Sequence, residues 1–352
     1  MKKMIVIALA VLFLFGCGSD EKKNETDQSA NSQNAEVEGT DSEFSAAPDV
    51  DMDASFKLTY SIPAGEKLKY KLTSVATTNQ KIQADSIIEN NVSQTIEYIF
   101  NLESKGQKEN STILDITIES INISANYNGE LLGYDSKQLN DEETNLKFSE
   151  YSSLPNKTFQ ATINQQGRIL AVKNIDEIVN AYLKIQKAES ITTEEKAQLT
   201  TQLSEQALQP LVQQMFRYIP ENETKIDSSW DLVYGSPMGL YELTNTARST
   251  LRDVVKKGDD LVAKITTELS VTYKGDGFIQ QGDVSYQFEK PKITGNAVTY
   301  FDIDRNIVLK SELTTKTEMN VLVTAKNPNA GMENATRADL SVNRNFLELI
   351  SE

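Results

Sequence analysis

Beyond residue 55 the chain alternates apolar and polar side chains with a period of two, and this rhythm restricts it to antiparallel sheet. Successive strand residues point to opposite faces, so a run such as "TILDITIESINISANY" (112–127) turns one face to a core and the other to water. The same pattern holds in "FKLTYSI" (56–62), "KLKYKLTSV" (67–75), "LVAKITTELSVTY" (261–273) and "NIVLKSEL" (306–313). Turn residues separate the runs at Ala64-Gly65, Lys105-Gly106, Asn128-Gly129, Gln166-Gly167, Lys257-Gly258-Asp259 and Asp304-Arg305-Asn306. About 300 residues of this kind suffice for a large core.

The pattern runs through the chain twice. "GEKLKYKL", "YIFNLESKG", "TILDITIESINISANYNG" and "FQATINQQGRILAV" are followed, in the same order, by "SSWDLVYG", "STLRDVVKKG", "LVAKITTELSVTYKG" and "TYFDIDRNIVLKSE". This aligns Gly106 with Gly258, Tyr127 with Tyr273 and Ile169 with Ile307. Two readings stay open: an internal duplication, or the compositional likeness of any two hairpin-rich stretches. Between the halves the period changes. Ile175, Ile178, Val179, Tyr182 and Leu183 recur at helical spacing. Thr192-Thr193-Glu194-Glu195 then forms a capping box ahead of an apolar stripe of Leu199, Leu203, Ala207, Leu208, Leu211, Val212, Met215 and Phe216. Pro210 predicts a kink or break in that helix, and Ile219-Pro220 its end. The predicted architecture is mainly β (α+β): a large curved antiparallel sheet or half-barrel, with a helical insertion packed on it. The body covers 56–352, as a first half (56–174), the insertion (175–219) and a second half (220–352).

The residue inventory excludes much chemistry. There is no histidine and a single cysteine, Cys17. Imidazole-based triads and imidazole metal sites are ruled out, and no disulfide can form within the chain. No GxGxxG or GxxxxGK[ST] phosphate loop occurs. The body is acidic without a basic stripe, which argues against nucleic acid as a partner. Asp302-Ile303-Asp304-Arg305-Asn306 begins like a calcium loop, but Ile307 replaces the required Gly and Leu313 the required Glu, so a hairpin turn is expected. No metal, cofactor or catalytic residue is predicted. Carboxylates are numerous, and an envelope hydrolase using a pair of them stays open as an alternative. Trp230, the only tryptophan, is read as a core anchor at a strand start, with a ligand platform as the other reading. "GSPMG" (235–239), between Tyr234 and Tyr241, reads as a flexible loop with an exposed methionine.

The N-terminus sets a cellular address. Lys2 and Lys3 precede an apolar run, 4–15, too short for a bilayer-spanning helix of about 20 residues. Leu14-Phe15-Gly16-Cys17 resembles the lipobox of bacterial lipoproteins, with Phe15 bulkier than the usual residue at its position. The resemblance implies a signal peptide over 1–16, cleavage between Gly16 and Cys17, and lipidation of Cys17 by diacylglycerol and a fatty acyl chain such as palmitate. Residues 18–55 hold eleven carboxylates against two lysines and one aromatic, Phe44, and are expected to form an acidic disordered tether. Ser19-Asp20-Glu21 resembles the export signal of surface lipoproteins in Bacteroidota, and Asp85-Ser86-Ile87 their short O-glycosylation motif. The expected location is the outer membrane, facing the periplasm or the cell surface.

Gly65-Glu66-Lys67-Leu68-Lys69-Tyr70, Gly167-Arg168-Ile169 and Ser228-Ser229-Trp230-Asp231 carry a further resemblance, over roughly 56–316, to a bacterial lipoprotein family known only as a domain of unknown function. It implies no activity. The architecture is also similar to lipoprotein-carrier and lipid-binding lipoproteins, in which a curved sheet wraps helices around an apolar cavity. These observations lead to a non-catalytic binding or interaction module. An apolar ligand would lie between sheet and helices, with Trp230, Leu203, Leu211 and Met215 as ligand-facing candidates. A structural role in contact with another envelope protein is the alternative.

Overall fold

Alternation becomes strand wherever a neighbouring run satisfies the backbone. The computed structural model describes residues 43–351 except 49, 52, 189 and 328–330, so Gly16, Cys17 and the signal segment lie outside it. The strands before the insertion are β1 (Ser45–Ala46), β2 (Lys67–Gln83), β3 (Ile87–Lys108), β4 (Ser111–Tyr127), β5 (Glu130–Asp135), β6 (Thr158–Asn164) and β7 (Ile169–Lys173). Those after it are β8 (Ser229–Met238), β9 (Tyr241–Lys257), β10 (Asp260–Lys274), β11 (Phe278–Gln281), β12 (Val284–Phe288), β13 (Lys292–Asp302), β14 (Ile307–Asn327) and β15 (Gly331–Ser351). All belong to one antiparallel sheet ordered β1-β9-β10-β13-β14-β15-β2-β3-β4-β6-β7, and its two ends do not pair, so no barrel closes. The short β5, β8, β11 and β12 attach beside β4, β9, β12 and β14.

The two halves repeat one strand order. β2-β3-β4-β6-β7 and β8-β9-β10-β13-β14 are both meanders, and β15 bridges them by pairing with β14 and β2. Ile169 and Ile307 open β7 and β14, as aligned. Gly106 and Gly258 do not correspond. Gly106 sits at a register shift inside β3, where the Ser104 hydroxyl accepts from its N–H at 3.1 Å, whereas Gly258 turns the β9–β10 hairpin. The turn expected at Lys105-Gly106 therefore falls later, at Glu109 and Asn110, both with positive φ.

Bulges reset the alternation where the sheet needs it. Phe100 pairs with Ile118 but Ile99 with Ser120, so Glu119 is an extra residue. Ile118 and Ile121 consequently both point inward, and both are fully buried. Glu119 turns outward to Lys69 at 2.7 Å and Asn101 at 3.0 Å, bonds that hold its carboxyl below the usual range.

Three sequence expectations are corrected. Residues 56–62 alternate in burial as expected, with Phe56, Leu58, Tyr60 and Ile62 inward, but they join no ladder. They form an extended strap, held by a single bridge from Phe56 to Thr224 and by the Tyr60 N–H donating to the Gln165 carbonyl at 3.0 Å. "GSPMG" is not a loop. β8 continues through Met238, which is 8 % exposed and packs on Tyr241, Leu243 and Ile293, leaving a two-residue turn at Gly239-Leu240. Pro237 is tolerated because β8 pairs with β9 alone, as an edge strand. The tether does not extend to Ser55 either. From Glu43 onward the chain docks on the body: the Phe44 ring stacks on Tyr300 at 4.1 Å, β1 pairs with β9, and Lys257 meets Glu43 at 3.2 Å.

The helices are α1 (Glu142–Lys147), α2 (Ser149–Ser152), α3 (Asp176–Ile185), α4 (Thr193–Gln202) and α5 (Gln209–Gln213), with a π-helical turn, Leu203–Leu208, between the last two. The capping box forms as predicted: Thr192 Oγ1 accepts from Glu195 N–H at 3.2 Å, and Glu195 accepts from Thr192 N–H at 2.7 Å. Pro210 does not break the helix. It lies in the first turn of α5, and the wider π turn before it accommodates both its missing N–H and its ring. The helix stops at Gln213 rather than at Ile219, and residues 214–219 continue as turns and extended chain. α3 buries Ile178, Val179 and Leu183, and the π turn and α5 bury Leu208, Leu211 and Val212.

Candidate functional site

Register arranges the inner face of the sheet in rows running across the strands. One row reads Leu251, Ile265, Thr299, Ser311, Leu347, Leu72, Tyr98, Ile121 and is filled mainly by large apolar groups. Two residues further along each strand the row reads Trp230, Ser249, Thr267, Ala297, Leu313, Asn345, Ser74, Ile96. Side chains shrink at Ser249, Thr267, Ala297 and Ser74, while α5 and the chain following it lie above them. The mismatch leaves a cavity of about 140 Å³, roofed by Pro210, Gln213, Gln214, Phe216, Arg217 and Tyr218. The cavity is partly open to solvent rather than sealed within the core. An apolar void near 150 Å³ accepts a benzene-sized group. No Asp or Glu occurs among its described lining residues.

The roof is fixed by three contacts that converge on the turn between β6 and β7. Gln213 spans it: its Nε2 donates to the Gly167 carbonyl at 2.8 Å, and its Oε1 accepts from Ile169 N–H at 3.0 Å. Tyr60, from the strap, clamps the backbone of Arg217. Its hydroxyl accepts from Arg217 N–H at 2.9 Å and donates to the Arg217 carbonyl at 3.1 Å. Its ring meets Phe216 and Phe301 edge-on at 5.4 and 5.3 Å. Gly167, at φ +87°, lies beneath both: a Cβ there would sit 2.3 Å from the Arg217 carbonyl oxygen and 2.5 Å from the Tyr60 ring.

Two cations line the cavity, the half-buried Arg217 and the exposed Arg168. Arg217 Nε donates to Ser311 Oγ at 3.0 Å, which in turn shares a hydrogen with Thr299 Oγ1 at 2.8 Å. Nη1 donates to the Gln214 carbonyl at 2.7 Å. Nη2 is shielded from solvent and has no partner, and neither does Asn345 Oδ1 on the β15 wall. Burial lowers the guanidinium from its ordinary value to about 10.

Of the four ligand-facing candidates, none lines this cavity. Leu211 and Met215 are buried in the core, and Leu203 packs on it half-buried; the π turn and α5 lie against β7. Trp230 stands at the start of β8 as expected, half-buried, its Nε1 donating to the Tyr218 carbonyl at 3.2 Å. It contributes to a separate surface cleft with Tyr218, Pro220, Asn222 and Asp231. Asp302 and Asp304 form a hairpin turn: Asp302 accepts from Arg305 N–H at 2.8 Å and Asp304 from Leu261 N–H at 2.9 Å.

Comparison with solved structures gives distant likenesses. A structure of lipid–protein interactions in lipovitellin aligns over 82 % of this chain at 11 % identity and TM-score 0.39; this chain spans about a quarter (25 %) of it. OccK5 (OpdH) of Pseudomonas aeruginosa aligns over 78 % of this chain and 97 % of its own at 8 % identity and TM-score 0.18. An outer membrane channel from Pseudomonas putida F1 aligns over 83 % and 98 % at 8 % identity and TM-score 0.19. Scores this low do not establish a common fold. No curated protein matches the chain. A family of unknown function, DUF6263, matches residues 109–307, more than half of the sequence, from the end of β3 through the helices and the cavity roof to the start of β14: the chain belongs to this family.

Proposed function

We propose that this protein is a lipid-anchored envelope lipoprotein of the outer membrane that acts as a non-catalytic binding module, holding an apolar ligand between its sheet and the chain following its helices. The observation that supports the reading most is the largely apolar cavity under Gln213–Gln214 and Phe216–Tyr218, built where the sheet substitutes small side chains for large ones. The carboxylates that the hydrolase alternative would need, Glu221, Glu223 and Asp231, line the surface cleft beside Trp230 and not this cavity. Anchoring through Cys17 would keep the cavity near lipid, a source of apolar ligands.

Two measurements test this. A ligand that binds only the folded state stabilises it by about 2.7 kcal/mol at a hundredfold excess over Kd. Medium-chain amphiphiles are therefore expected to raise the unfolding midpoint of the wild type. Ala297→Phe, which fills the small-residue row between Thr267 and Leu313, should keep the fold and lose that response. An unchanged response in Ala297→Phe would place binding elsewhere. For the anchor, Cys17→Ser is expected to abolish lipid modification and leave the protein unprocessed or soluble. Fractionation of the variant with the outer membrane at wild-type mass would contradict the lipoprotein assignment.

A further inference from the structure

The cavity is drawn out along the strands. Its lining comes from four successive rows of the inner face: Thr299 stands in the first, Ala297 in the second, Ala247 and Thr315 in the third, and Tyr234 in the fourth. Rows two residues apart are separated by about 7 Å along a strand, so the lining extends over roughly 20 Å. A volume of about 140 Å³ spread over that length admits a thread, not a ring system. The floor continues in the same direction. Gly295 has no side chain in the third row, and Leu269 lies across it: a Cβ there would stand 3.1 Å from Leu269 Cβ. Val271 and Met319, half-buried, carry the same face on to the cluster of Leu243 and Ile293.

We propose that the site takes an unbranched aliphatic chain lying along the strands from the row of Thr299 to that of Tyr234. A peptide is the less suitable thread. β10, β13 and β14 pair on both sides, so their backbone groups are engaged in ladders, and an extended peptide over them would leave its own N–H and C=O groups unsatisfied. A hydrocarbon chain carries no such groups. Each methylene taken from water strengthens binding about fourfold, so a trough of this shape discriminates by length and by linearity. The inference rests on the apolar-ligand reading proposed above and adds the shape of the ligand.

The test compares octanol, dodecanol and cyclododecanol on the full chain by unfolding midpoint and by calorimetry, each below its solubility. Dodecanol is expected to bind at least about tenfold more tightly than octanol, through its added methylenes, and than cyclododecanol, which has as many carbons in a closed ring. Ala247→Phe places a ring in the third row and should bring dodecanol down to the level of octanol. Cyclododecanol binding as tightly as dodecanol, or more so, overturns the linear shape while leaving the apolar-ligand reading intact. Equal binding of octanol and dodecanol confines the ligand to part of the trough and overturns the extended chain. Binding of none overturns both readings. The wild-type comparison decides the matter even if Ala247→Phe fails to fold.

Discussion

Gly167→Ala is expected to destabilise the protein by about 3 kcal/mol or more, the sum of a left-handed backbone penalty and overpacking. At φ +87° a Cβ is strained before any neighbour is considered. The neighbours add the larger effect: the new methyl would lie 2.3 Å from the Arg217 carbonyl oxygen and 2.5 Å from the Tyr60 ring, and neither can move independently because they are hydrogen-bonded to each other. Gly65 provides the control. Its φ is +85°, yet nothing lies within 4 Å of where a methyl would stand, so Gly65→Ala should cost only the backbone strain, about 1–2 kcal/mol. Urea unfolding of the two variants at unchanged m-value would measure the difference. Equal losses would mean that the roof yields to the methyl, and that the turn, strap and roof are not a rigid unit.

The sheet is legible in the sequence because each strand carries its own evidence. Alternation reports a half-buried ladder without reference to the partner, and the hairpin turns at Asn128-Gly129 and Gly258-Asp259 report the connections. The repeated strand order is visible for the same reason: both halves are meanders of neighbours in sequence. Expectations fail where a segment's partner lies far along the chain. Residues 56–62 have a strand's alternation, but the backbone partners of Phe56 and Tyr60, Thr224 and Gln165, are over a hundred residues away and offer no ladder. Phe44 looks like a stray aromatic in an acidic linker until Tyr300 supplies its stacking face.

The candidate site is less legible, because it consists of a difference between rows rather than a motif. Nothing in the local sequence around Ser249, Thr267 or Ala297 marks these residues as neighbours; the registers of β9, β10 and β13 bring them together. The helical stripe correctly announces burial for Leu211, Met215 and Phe216, but of these only Phe216 lines the cavity. Arg217 does leave one trace: it is the only cation in "LVQQMFRYIP", a run whose apolar members are mostly buried. That cation is half-buried and is held by the Ser311 hydroxyl and backbone carbonyls, contacts that no local pattern announces.

Tyr60 is where strap, core and roof meet, so its variants are expected to separate packing from hydrogen bonding. Tyr60→Ala removes a ring that is 1 % exposed and edge-packed on Phe216 and Phe301, at an expected cost of about 3–5 kcal/mol. Tyr60→Phe keeps the ring and removes only the hydroxyl, which leaves the Arg217 N–H and carbonyl without their partner, at about 1–3 kcal/mol. Burial raises the hydroxyl well above its ordinary ionisation range, so it stays a protonated donor at every pH where the fold would be studied. The two variants should also differ in what they do to the cavity. Loss of the ring loosens the core as a whole. Loss of the hydroxyl frees mainly the backbone of the roof, so Tyr60→Phe should speed amide exchange at Arg217 while leaving the core protected. A Tyr60→Phe protein as stable as the wild type, with unchanged exchange at Arg217, would show that Ser311 and Gln214 alone suffice to hold Arg217, and that the strap contributes only its apolar face.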